Sequence, residues 1–251
     1  QKVKPHKKVA ETDAIFENVA QARQTAKADP EVLQLSIDTK AKVAIGNLSR
    51  GGKDRRREAP QADDHDHYRQ ATLVPFGILD VTGDQLAIFF GNSAETSDFV
   101  VDCLETWWQR YQDDYRAVKA WIIELDNGPA VSSGRTQFIK RMVEFANAEQ
   151  LKIRLVYYPP YHSKYNPIER CWATLENFWN GAILDTVETA LQWAANMTWK
   201  GVTPVVDFVD QVYPKGIKLN KQELEPFSQQ WLRSETLPKW DVTIVPGQPV
   251  S

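Results

Sequence analysis

The chain has 251 residues, of which 42% are hydrophobic, so it can fill a sizeable core of its own. Its 30 basic and 33 acidic side chains leave a formal charge of −3, which gives no bulk electrostatic case for binding a polyanion. Cys103 and Cys171, the two cysteines, both lie in apolar helical patterns; this excludes a disulfide framework and a cysteine metal cluster and points to a reducing compartment.

The opening "QKVKPHKKVA" lacks the apolar segment of a signal peptide, and no run reaches the roughly 18 apolar residues of a membrane span. The expectation is a cytoplasmic protein with no membrane partner. A start at Gln1 without methionine reads as a segment of something longer. Residues 1–30 read as a helical or linker segment. In "VLQLSIDTKAKVAIG", Leu33, Leu35, Ile37, Val43 and Ile45 take odd positions and polar residues take even ones, which is strand periodicity. From Asn47 to about Gln70 the chain is hydrophilic and aperiodic, an exposed insertion after the first strand. "TLVPFGILD" and "QLAIFFGN" follow as two strands joined by a tight turn at "VTGDQ".

Between Ser93 and Tyr115 the period shifts to three and four: Phe99, Val100, Cys103, Leu104, Trp107, Trp108 and Tyr111 form a helical stripe. "VKAWIIELD" is a strand ending at Asp126, a helix is expected over residues 133–150, and "KIRLVYY" is the fifth strand, stopped by Pro159 and Pro160. A third helix begins near Pro167 with Ile168, Cys171, Trp172, Leu175, Phe178 and Trp179 on one stripe, and a fourth covers residues 185–197. Strands alternating with helices after an opening meander predict an α/β fold, a mixed five-stranded sheet flanked by helices. Residues 31–200 form this domain. Residues 201–251, rich in proline, read as a C-terminal extension in which only "WDVTIV" alternates like a strand.

Three carboxylates stand out. Asp38 is an acid within the first strand, where a charge needs water, a cation or a partner such as Lys40. Asp126 lies at the carboxyl end of a buried strand, the rim where open α/β sheets place ligands, although Asp-Asn-Gly is also a turn sequence. Glu169 follows "YYPPYHSKYNPIE", in which Asn166 reads as an N-cap, Pro167 as the first helical residue and Glu169 as the partner in a capping box. Glu169 also borders the apolar stripe and can lean toward the sheet. Glu176 is its rival about 10 Å farther along the axis. The prolines of this loop then serve to hold the helix relative to the sheet.

The element order, "SIDTK", "ELDNGP" and "PPYHSKYNPIERCW" resemble the catalytic domain of bacterial insertion-sequence DDE transposases, relatives of the mariner-like group, from about Val32 to Trp199 and weakly at "YPKGIKL". The resemblance implies a ribonuclease H-like fold, a triad of Asp38, Asp126 and Glu169, and a helix-turn-helix region ahead of this segment. It implies two Mg2+ ions, with Mn2+ substituting, that drive cleavage and joining of DNA strands. Its partners would be double-stranded DNA and further copies of itself, acting at the nucleoid.

Candidate phosphate contacts are Lys40, Lys42, Arg50, Lys53, Arg55, Arg56, Arg57, Lys164 and Arg170, with His162 orienting DNA or forming a structural hydrogen bond. Asp63, Asp64, His65, Asp66 and His67 read as a solvated stretch in preference to a transition-metal site. The competing functions are a ribonuclease H-like nuclease or resolvase that cuts without joining, and a domesticated DNA-binding protein with an idle triad.

Overall fold

The computed structural model describes residues 9–51, 62 and 69–248. Two of the sequence expectations, the Lys53–Arg57 basic run and the Asp63–His67 stretch, lie outside the described residues. The elements run α1 (Thr12–Ala28), β1 (Val32–Thr39), β2 (Val43–Ile45), β3 (Ala71–Asp80), β4 (Gln85–Gly91), α2 (Ser97–Tyr111), β5 (Ala120–Leu125), α3 (Thr136–Glu149), β6 (Lys152–Tyr157), α4 (Glu169–Trp179), α5 (Val187–Asn196), β7 (Val205–Val209), α6 (Lys221–Leu224), β8 (Trp231–Arg233) and β9 (Asp241–Ile244).

Eight strands lie side by side in the order β7-β4-β3-β1-β5-β6-β9-β8, and β2 pairs with the start of β3. Strand β3 runs antiparallel to both of its neighbours, β1 and β4, while β1, β5 and β6 are parallel. This is the mixed sheet expected of a ribonuclease H-like fold, with further strands added at both edges. β7 joins β4 in parallel, and the β8–β9 hairpin joins β6 through β9. These additions escape the five-strand reading because they are short and because β7 and β8 are only partly buried, so neither carries a sustained apolar alternation.

Both faces of the sheet are covered. Leu33, Leu35 and Ile37 of β1, with Trp121, Ile123 and Leu125 of β5, pack with the stripes of α2 and α3. On the opposite face, α4 and α5 cover β3 and β4, and Val19, Ala22 and Ala26 of α1 meet Ile122, Val156 and Tyr158. The even positions of β1 therefore face protein. Gln34 and Ser36 are buried. Their hydrogen bonds explain how: Gln34 Nε2 donates to Glu124 Oε1 at 2.5 Å, and Arg23 of α1 holds the same carboxylate through Nε at 2.8 Å and Nη2 at 2.6 Å. A buried carboxylate needs this degree of pairing.

The helix stripes put Trp107, Trp108, Trp172 and Trp179 in the core, as their spacing predicts, and Trp240 is buried with them. Both cysteines are free and buried, and burial pushes both thiols up. No helix of the described residues is long and apolar enough to cross a membrane.

Candidate functional site

The parallel pairing of β1 with β5 matches Ser36 with Glu124. Carried on by two residues, that register sets Asp38 level with Asp126, on chains about 4.8 Å apart. Glu124, inside the strand, is consumed by Arg23, Gln34 and Tyr158. Asp126 lies just beyond the strand end, half-buried, with Oδ1 accepting from Gly128 N at 3.0 Å. Of the two acids in "WIIELD", one is structural and the other reaches the rim.

Glu169 is the first residue of α4, and three contacts fix that helix on β1. Ser36 Oγ donates to Asn166 Oδ1 at 2.5 Å, Asn166 Nδ2 donates to Ile37 O at 2.9 Å, and Ile168 N donates to Ser36 Oγ at 3.0 Å. Ser36 and Asn166 are 0% and 1% exposed, so these bonds are shielded from water. One turn along the helix, Trp172 Nε1 donates to Asp38 Oδ2 at 2.9 Å. Gly77, which pairs with Asp38 across β3, makes the close approach possible: a Cβ there would lie 2.7 Å from Ile168 Cδ1 and from Trp172.

The expected capping box is not formed. The helix begins at Glu169 after Ile168, with no side-chain cap, because the Asn166 amide is used up in the tether to β1. The stiff loop thus holds the helix to the sheet by a buried clamp as well as by its prolines.

Asp38 feels the other two acids. Burial, then the charges of Asp126 and Glu169, push the Asp38 carboxyl up to about 8, against the partial relief of Trp172. Glu95, in the loop before α2, is a fourth acid at this rim that the sequence reading missed. Its carboxyl is pushed up by desolvation and by Asp126, with Lys42 opposing. It is exposed as a whole residue and sits in no periodic pattern, so its composition carried no signal. The donor set is all oxygen, with an excess of negative charge, and suits a hard divalent cation. Even so, among the described residues no three His, Cys, Asp or Glu side chains are gathered tightly enough to hold a metal as they stand.

The cations separate into groups. Lys40 and Arg50 are both ion-paired to Glu176, Arg50 at 3.1 Å, and Arg50 also lies over the Trp179 ring. Glu176, the sequence rival of Glu169, therefore faces two cations in place of the acids. Lys42, Lys164 and Arg170 are exposed, Lys164 lying over the Tyr165 ring. His162 is buried, with Nδ1 2.7 Å from Pro160 O and its ring against Phe16 and Tyr165. That setting is a packed hinge between α1 and the loop, away from solvent.

The family described as the Rhodopirellula transposase DDE domain matches residues 1–246. The chain belongs to this family. No curated protein matches this DDE domain. Among solved structures it is similar to the Mos1 mariner paired-end complex with Mn, at 12% identity and a TM-score of 0.50, covering 77% of this chain and 57% of that one. It is similar also to the Mos1 strand transfer complex, at 12% identity and a TM-score of 0.50, covering 77% and 56%. The DDE domain thus spans little more than half the length of these mariner relatives and shares their fold.

Proposed function

We propose that this DDE domain cleaves DNA strands at the ends of an insertion sequence and joins them to a target, with Asp38, Asp126 and Glu169 holding two Mg2+ ions for which Mn2+ can substitute. The observation that carries the reading is the buried clamp of α4 on β1, since it brings an acid from a helix to the end of the sheet where two strand acids already stand level. The family membership and the effect of Asp126 and Glu169 on the Asp38 carboxyl support it.

When bound, a metal pair activates an oxygen nucleophile and stabilises the leaving oxygen of a phosphodiester exchange. The chain's own contribution is positional. Trp172 orients Asp38 through one carboxylate oxygen. Gly128 N does the same for Asp126. In this reading the clamp holds Glu169 toward both, and the surrounding cations offset the charge of an approaching DNA backbone. The titles of the Mos1 complexes, one a paired-end assembly with Mn and one a strand transfer complex, support duplex DNA and self-association as partners.

The test uses the full-length protein with terminal-repeat DNA, a target plasmid and Mg2+. Joined products are expected, and Asp126→Ala should reduce them to background. Cleavage without joining would select the nuclease reading. DNA binding with no metal-dependent cleavage, indifferent to Asp126→Ala, would select the non-catalytic one.

A further inference from the structure

Three cations that form no ion pair among the described residues meet at one place. Lys42 follows β1, Arg69 precedes β3, and Lys215 follows β7; all three are exposed and line a cleft of about 520 Å3 together with Thr72, Asn92 and Ser93. Among the described residues the lining contains no carboxylate. Of the acids that adjoin it, Asp210 accepts from Asn92 Nδ2 at 2.5 Å, and Glu95 follows Ala94 on the side toward Asp126. The cleft thus opens at the same end of the sheet as the DDE acids, since β1 and β4 both end there and β3 begins there.

The wall carrying Lys215 is rigid. Ser93 Oγ donates to Gln211 O at 2.8 Å, Tyr213 N donates to Ser93 Oγ at 3.3 Å, and the buried Tyr213 ring packs edge-on against Phe99 while its hydroxyl donates to Asp102 at 2.8 Å. Within "YPKGIKL", the tyrosine is an anchor and the lysine two positions on is the group it presents.

We propose that the Lys42–Arg69–Lys215 cleft binds the phosphodiester backbone of duplex DNA beside the scissile bond, independently of base sequence. Charge complementarity selects the ligand: three cations that form no ion pair among the described residues, with the neutral side chains of Thr72 and Asn92 beside them, match successive phosphate oxygens, and none of them is suited to reading a base edge from so open a cleft. The nature of the polyanion rests on the DNA-processing reading above. The binding itself is measurable without metal or catalysis.

The experiment is fluorescence anisotropy of this chain with a labelled duplex of about 20 base pairs and arbitrary sequence, in EDTA, across a NaCl series. For Lys42→Ala with Lys215→Ala, the slope of log affinity against log salt should become shallower by about 1.8, with the loss equal on unrelated sequences. Lys42→Arg with Lys215→Arg should restore it. Lys152→Ala, at the start of β6 and the other end of the sheet, should keep the wild-type slope.

A wild-type slope in the double alanine variant overturns the proposal, as does an equal drop in Lys152→Ala. Competition by inorganic phosphate at constant ionic strength that matches competition by unlabelled duplex also overturns it, by marking a small-anion site. Persistent cleavage by Asp126→Ala would defeat the catalytic assignment and leave this result standing. An unchanged slope alongside triad-dependent cleavage would defeat this proposal alone.

Discussion

Asp38 is a carboxyl group placed where its own ionisation is opposed by burial and by two neighbouring acids, and that has a measurable cost in the metal-free protein. Its folded pKa, about 8, is above the ordinary carboxylate range. The folded state therefore binds this proton more tightly than the unfolded chain does. The associated stability is complete below about pH 4 and declines as pH rises through 8. In EDTA, urea midpoints should fall between pH 5 and pH 8, and Asp38→Asn should flatten that dependence. The same variant should be more stable than wild type at pH 7.5 by roughly 1–3 kcal/mol, a figure discounted for the solvated mouth of the site, while losing cleavage. A variant less stable than wild type across that range would contradict the charge crowding inferred at this rim.

Asn166 gives a second expectation at the same scale. Asn166→Ala removes two buried hydrogen bonds and leaves Ile37 O without its donor, so a loss of about 1–3 kcal/mol in chemical denaturation follows. Because the lost bonds tether Glu169, the apparent affinity for Mn2+ in a cleavage assay should weaken even at temperatures where the variant is fully folded. An unchanged metal dependence would reduce the clamp to a stability device.

Among the elements, α4 and β3 are held at a distance that only glycine permits. Gly77→Ala inserts a Cβ into space already filled by Ile168 and Trp172, and neither the ring nor the helix beneath it can move without displacing Asp38's partner. Overpacking of this kind costs about 1–3 kcal/mol, visible in thermal melts, and cleavage should fall further than the melting temperature suggests. By contrast, replacing both Pro159 and Pro160 with glycine loosens the approach to α4 while leaving the clamp in place. Turnover should drop with a small change in melting temperature, and full turnover with a collapsed melting point would argue against a positioning role for the loop.

This scale also shows what the sequence could and could not reveal. The position of Asp126 was legible because a buried apolar strand ends just before it, and that of Glu169 because it borders a strong apolar stripe. The use of Asn166 was hidden: "NPIE" satisfies a local capping pattern, and only the long-range approach of Ser36 diverts its amide. Polar alternation on β1 suggested water, but the even face meets α1 and α4, which no local window contains. Arg69 and Lys215 gather from exposed loops, where no periodicity marks position, and Glu95 lies in another such loop.

For the molecule as a whole, the C-terminal residues are built into the fold at both ends of the sheet. β7 covers β4, and β9 covers β6 with Val242 and Ile244 in the main core. The Arg154–Asp241 pair, bonded at 3.1 and 2.7 Å, ties the hairpin to the fifth strand of the central sheet. Unfolding in urea should accordingly be one transition, with tryptophan fluorescence and far-UV circular dichroism superimposable. An early fluorescence change that left the secondary structure intact would mean that residues 201–251 detach as a unit.

Strands β7 and β9 thus close the two margins of the sheet. Without them, the outer backbone groups of β4 and β6 would be open to pairing with any extended segment nearby. A chain truncated before β7 is therefore expected to be an adhesive species that associates through those bare margins.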